Sequence, residues 1–402
     1  MMTAFGAGLA AVACISAEPA LVAVNGQKPV GTEQSDQHPS SQATNDAGAA
    51  TTGVSTAAAT TTAPQPTTTT APPTLNLYAE TTVGKLAPQV RDVPARVYVP
   101  NSDGHSVTII DPVTGAVTQT TKVGVLPHHI TPSWDLSTLY ILDTAGNVIV
   151  PIDPRTAALG TPIPVEDPYN LYFTVDGSTA LVIAERYKRI DARNPKTWEL
   201  LWSVSVPHPG VNHGDFSPDG RYFYASCEFS GWVVKIDLLE HRIVAEVKVG
   251  NQPIDTRISP DGTRIYVADQ GRNGVIVLDP TDLHELQFIP TGAGTHGLYP
   301  SRDATKLYAT NRLGSSVSVI DFATNQVVAT WTIPNGGSPD MGSVSADGTQ
   351  FWVSGRNHGE VYAFDTTTGA LVHRIKTGAG AHGLTFFPQP GRFSVGHTGN
   401  YR

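Results

Sequence analysis

The chain has 402 residues, with 26 Lys+Arg against 35 Asp+Glu for a formal charge of −9, 40% hydrophobic residues, 38 Gly, 31 Pro and two Cys. That leaves room for one large or two ordinary domains with a sizeable core, and the Gly and Pro content favours many turns over long surface helices. A nucleic-acid scaffold is excluded, because it needs segregated Lys and Arg to neutralise phosphate, and Cys14 and Cys227 form neither a disulfide framework nor a C-x-x-C pair.

Residues 1–30 are apolar and rich in small side chains, with no Lys or Arg before Lys28. They read as a signal-like leader without its usual basic start. Ala11-Val12-Ala13-Cys14 is similar to a degenerate bacterial lipoprotein box, so lipidation of Cys14 stands as the alternative to simple cleavage. Residues 31–74 turn to Ala, Thr, Pro and Ser and end in TTTAPQPTTTTAPPT. A tract of that kind cannot bury enough apolar surface to offset its ordering entropy, and it reads as a disordered tether. Leader and tether together point to an extracytoplasmic protein, secreted or held at the cell surface, with its folded part at 75–402.

From Leu75 onward one phrase recurs about every 42 residues. Its second strand appears as RVYVPN, LYILD, LVIAE, FYASC, IYVAD, LYATN and FWVSG, ending at Asn101, Asp143, Glu185, Cys227, Asp269, Asn311 and Gly355. The next strand closes on Asp111, Asp153, Asp191, Asp237, Asp279, Asp321 and Asp365. SVTIID and SVSVID alternate apolar and polar residues at period two, and turn phrases such as PDG at Pro218–Gly220 bound the strands. Short antiparallel strands in fours at this period are propeller blades. The expectation is an all-β, seven-bladed β-propeller, its ring closed by a C-terminal inner strand laid beside three N-terminal ones, with eight blades as the alternative. The phrases VYVPN, IYVAD and LYATN, with their SVTIID partners and SPDG turns, resemble the YVTN-repeat β-propellers of bacterial exported proteins, a group that overlaps the cytochrome d1 haem-domain-like propellers. That resemblance implies fold more than activity.

Residues that change from copy to copy at one structural position are free of the fold's demands. At the start of the inner strands this column reads His129, Asn170, His213, Asp255, His296, Met341 and His382, with His128 beside His129. In a propeller these positions converge on the central channel, so five of the 13 histidines gather there. Neutral imidazoles meeting at one point suit Cu, Fe or Zn, with His129, His213, His296 and His382 as the expected ligands. The d1-like resemblance implies haem on the channel mouth instead, and His-Gly as mere repeat chemistry is the plain structural reading. Asp215, two residues beyond His213, is expected on the same face, to orient an imidazole or act as a base. AERYKRID, with Glu185 and Arg186, reads as a shortened hairpin, and PQPGRFSVGHTGNYR has no assigned role. The resulting expectation is a monomeric binding scaffold with a His-lined channel mouth for a small-molecule or protein ligand. A metal- or haem-dependent redox protein and a lactonase-like hydrolase are the alternatives.

Overall fold

The period-two alternation, cut every few residues by turn chemistry, produces strands that pair with their sequence neighbours. The computed structural model describes residues 75–397 and 400–402; the expected leader, the tether and Cys14 lie outside them. Seven antiparallel sheets result, and among the described residues helix is limited to three short 3-10 turns. The protein is a seven-bladed β-propeller. Its first blade takes Thr385–Phe387 as inner strand beside Arg96–Asn101, Ser106–Ile110 and Val117–Lys122. Val97, Val99 and Ile110 of that blade share a buried cluster with Trp352, Val361 and Ala363 of the last, so apolar packing joins the two ends of the repeat.

Six of the seven blades are punctuated by the same side-chain chemistry. A Ser or Thr bonds the Asp two residues on in the turn after the inner strand, as Ser217 Oγ to Asp219 at 2.5 Å and Ser259 Oγ to Asp261 at 2.6 Å. The residue ending the second strand is Asn or Asp in most copies because it accepts hydrogen bonds from the loop leading into the inner strand of its own blade. Asp143 takes Leu126 N at 2.6 Å, and Asn311 takes Gly292 N at 3.1 Å. Tyrosines buried between blades place their hydroxyls on the following blade: Tyr98 on Pro154 O at 3.4 Å, Tyr224 on Pro280 O at 3.1 Å and Tyr266 on Asn325 Oδ1 at 2.6 Å.

The third blade departs from the expected alignment. Ala184, not Glu185, pairs with Arg189 at the end of its second strand, and Asn194 rather than Asp191 makes the closing turn, accepting Lys196 N at 2.9 Å. Asp191 lies inside the third strand between Arg189 and Arg193. The hairpin is therefore of ordinary length, and Glu185 is the first residue of its turn, directly after Ala184.

RFSVGH builds no eighth blade. Ser394–Gly396 and Asn400–Tyr401 form a hairpin on the inner edge of the third blade, with Gly396 opposite Tyr172. This tail enters from the face carrying the Ser-x-Asp turns, where Gln389 meets Arg302 and Ser394 N bonds Trp134 O. Arg402, at its end, pairs with Asp215 at 2.8 Å, both buried.

Candidate metal centre in the propeller channel

At the start of five inner strands the pairing register slips by one residue, between Pro127 and His129, Val211 and Gly214, Pro253 and Thr256, Thr295 and Leu298, and Pro339 and Gly342. A β-bulge of this kind re-aims side chains and breaks the two-residue alternation. Counted from the bulge, His128, Asn212, His296 and Asp340 hold the first position, and His129, His213, Asp255 and Met341 the second. Ala381 bridges Asn101, which places His382 in the first set as well.

Six imidazoles come together: His128, His129, His213, His296, His382 and His397, all 6% exposed or less. Ring centroids lie 4.1 Å apart for His128 and His382, 4.8 Å for His129 and His382, 5.2 Å for His129 and His213, and 4.7 Å for His213 and His397. Nitrogens of His128, His129 and His382 fall within 4.8 Å of one another, and so do those of His129, His213 and His397. Burial holds these rings neutral, with pKa values well below the usual imidazole range and that of His213 lowered to about 3.

The surrounding hydrogen bonds choose the tautomers. His382 Nδ1–H donates to Asp340 Oδ2 at 2.5 Å. His213 Nδ1–H donates to Asn212 Oδ1 at 3.1 Å, while Asn212 Nδ2 donates to Glu228 at 2.8 Å. Ser102 Oγ spends its proton on Pro127 O at 2.9 Å and accepts from His128 Nδ1 at 3.2 Å. Each of these rings keeps its Nε2 lone pair, and the Nε2 atoms of His213 and His382 have no protein partner. Nδ1 anchored behind and Nε2 left open is the arrangement of a metal-ligating histidine with its supporting carboxylate or amide.

His296 stands apart from both triads, 6.0 Å from His382 between ring centroids. Its Nε2 meets Arg312, and its Nδ1 lies 3.1 Å from Asp340 Oδ1 but out of line for a hydrogen bond. Burial pushes the Asp340 carboxyl up, yet Arg312 above all, at 2.6 Å, holds it below the usual range. Asn170 places Nδ2 3.4 Å from His397 Nδ1. Three expected channel residues face elsewhere, because the bulge and the twist of the inner strand turn them toward the neighbouring blade. Asp215 accepts Ile258 N at 3.1 Å as well as Arg402. Asp255 accepts Leu298 N at 2.8 Å, and burial lifts its pKa to about 6. Met341 packs in the apolar core with Tyr299 Oη 3.0 Å from its sulfur. Compared with the expected quartet, His128 and His397 enter the triads and His296 does not.

A rim of side chains follows the second strands: Ser102, Glu185, Glu228, Gln270, Arg312 and Arg356 each occupy the first turn residue of their blade. This second column differs from copy to copy as the histidine column does, and an alignment on the Ser-x-Asp turns exposes it. His397 carries no repeat signal and had no such clue.

An all-imidazole donor set with unpartnered nitrogens fits a borderline or soft transition ion, chiefly Cu or Zn. A tetrapyrrole does not fit among these rings: a flat macrocycle between two of them needs about 7 Å, twice the optimal carbon–carbon separation, and they stand at contact spacing.

The seven sheets and their YVTN-type repeat define a β-propeller with histidines gathered at its axis. The chain belongs to the YncE-like β-propeller family, whose family model matches residues 73–390. It is 33% identical over 127 residues to the dihydro-heme d1 dehydrogenase of Pseudomonas aeruginosa, covering 31% of this chain and 23% of that protein. It is 32% identical over 130 residues to the YncE protein of Salmonella typhi, covering 31% and 36%. The matched stretches thus span well under half of either relative. The solved structure of dihydro-heme d1 dehydrogenase NirN in complex with DHE superposes with a TM-score of 0.57 at 16% identity, over 75% of this chain and 78% of that one, a likeness of fold.

Proposed function

We propose that this protein is an extracytoplasmic metal-binding propeller whose channel histidines hold Cu or Zn. The observation that carries the reading is the convergence of His128, His129 and His382, and of His129, His213 and His397, with ligand atoms within 4.8 Å and several buried nitrogens lacking a protein partner. A buried nitrogen without a partner is costly unless something outside the protein satisfies it. The apolar leader and Thr/Pro tether support export, and no helix among the described residues is long and apolar enough to cross a membrane.

The chain's own residues do the positioning. Asp340, Asn212 and Ser102 hold three imidazoles in one tautomer, and the surrounding blades exclude water. A bound ion would supply Lewis acidity or, for copper, an electron-transfer centre. Metal analysis of the full chain made in medium supplemented with Zn(II) or Cu(II), after gel filtration, is expected to show retained metal. The His128→Ala/His382→Ala double variant is expected to lose at least tenfold in affinity. A wild-type protein free of metal after this treatment would overturn the reading.

A further inference from the structure

We infer that the channel holds two metal ions, one on each side of His129, an inference that rests on the metal-binding reading above. His129 stands between two pairs of rings. Its centroid is 5.0 Å from His128 and 4.8 Å from His382 on one side, and 5.2 Å from His213 and 4.9 Å from His397 on the other. The five rings form two groups of mutually close nitrogens that share His129, not one group of five. Ligand nitrogens sit about 2.0–2.1 Å from an ion such as zinc, so two on opposite sides of it are about 4.2 Å apart. A single triad therefore supplies three of the four positions around one ion, and the other pair of rings lies with His129 in a second group.

The state of His129 is what a shared ligand requires. His128, His213 and His382 each commit Nδ1 to Ser102, Asn212 or Asp340 and retain one nitrogen for an ion. His129 keeps both Nδ1 and Nε2 buried and without a protein partner. Gly383 makes this possible, since a Cβ at that position would stand 2.2 Å from His129 Nδ1. Each side also has a carboxylate behind a ligand: Asp340 one hydrogen bond behind His382, and Glu228 two hydrogen bonds behind His213, through Asn212. One imidazole can serve two ions only through both nitrogens, as the imidazolate. Loading the second ion forms a second metal–nitrogen bond, breaks the His129 N–H bond and releases that proton to solvent, with no change of oxidation state.

Counting ions separates this inference from the reading on which it rests. The full chain produced with Zn(II) is expected to retain two ions per chain by elemental analysis, and His382→Ala and His397→Ala are each expected to retain one. One ion in the wild-type protein overturns the two-ion centre and leaves metal binding intact; none overturns both. Loaded with two Cu(II), the wild-type protein is expected to give an electron paramagnetic resonance signal that integrates to far less than its copper content, because a bridging ring couples the two spins. A full-intensity signal from the doubly loaded protein overturns the bridge without recourse to any variant.

Discussion

Asp340 shows how a single side chain organises the channel. It is fully buried, bonds His382 at 2.5 Å and is held ionised by Arg312 at 2.6 Å against the desolvation that burial imposes. A carboxylate behind a ligand raises its basicity and locks the ring, and removing such a partner lowers metal affinity by roughly 10–100-fold. Asp340→Asn, which keeps the shape, is expected to fall in that range by chelator competition. An affinity within twofold of wild type would show that the carboxylate serves Arg312 alone. Glu185 is the rim's counterpart of opposite sense: burial and the neighbouring Glu228 raise its pKa to about 8.

At the scale of the element, the inner-strand bulge and the tail hairpin matter most. The bulge puts two adjacent histidines, His128 and His129, into the same centre, which a regular strand with alternating faces cannot do. The tail delivers His397 and is pinned by Arg402 against Asp215 at 2.8 Å, with neither side chain more than 8% exposed. Removing one partner of a buried ion pair costs about 3–5 kcal/mol, because the other charge is left uncompensated. Arg402→Met is expected to lose stability of that order in denaturant unfolding, and Arg402→Met/Asp215→Asn to regain much of it. A single variant that loses under about 1 kcal/mol would show that the tail is held by its hairpin alone.

For the whole molecule, closing the ring around neutral imidazoles makes stability depend on pH. All six histidines have folded pKa values depressed below the unfolded value by burial. Unfolding therefore takes up protons below about pH 6.5, so stability is full above that pH and declines by about 1.4 kcal/mol per pH unit for each group below it. Glu185 acts in the opposite direction: its raised folded pKa, about 8, means that its contribution declines as pH rises from about 4.5. Metal-free protein is thus expected to lose melting temperature steeply between pH 7 and pH 5, and His397→Gln to lose it less steeply. A flat profile over that interval would show that the rings are not held neutral.

The sequence alone determined the repeat, its seven copies, the closure of the ring and the turns that punctuate it, because period-two alternation and Ser-x-Asp chemistry are local. It also placed His128, His129, His213 and His382 at the axis. Only the tertiary structure decided which neighbour of each pair faces that axis. A bulge shifts the phase by one residue, so Asp340 takes the place expected of Met341, and Asp215 and Asp255 turn to the next blade. The structure likewise supplied His397, from a tail outside the repeat, and the partners Ser102, Asn212 and Arg312. His397 crosses many blades to reach Asn170, whereas Ser102 and Arg312 act on their own or the neighbouring blade and Asn212 on the next residue, contacts set by side-chain directions that the bulges decide.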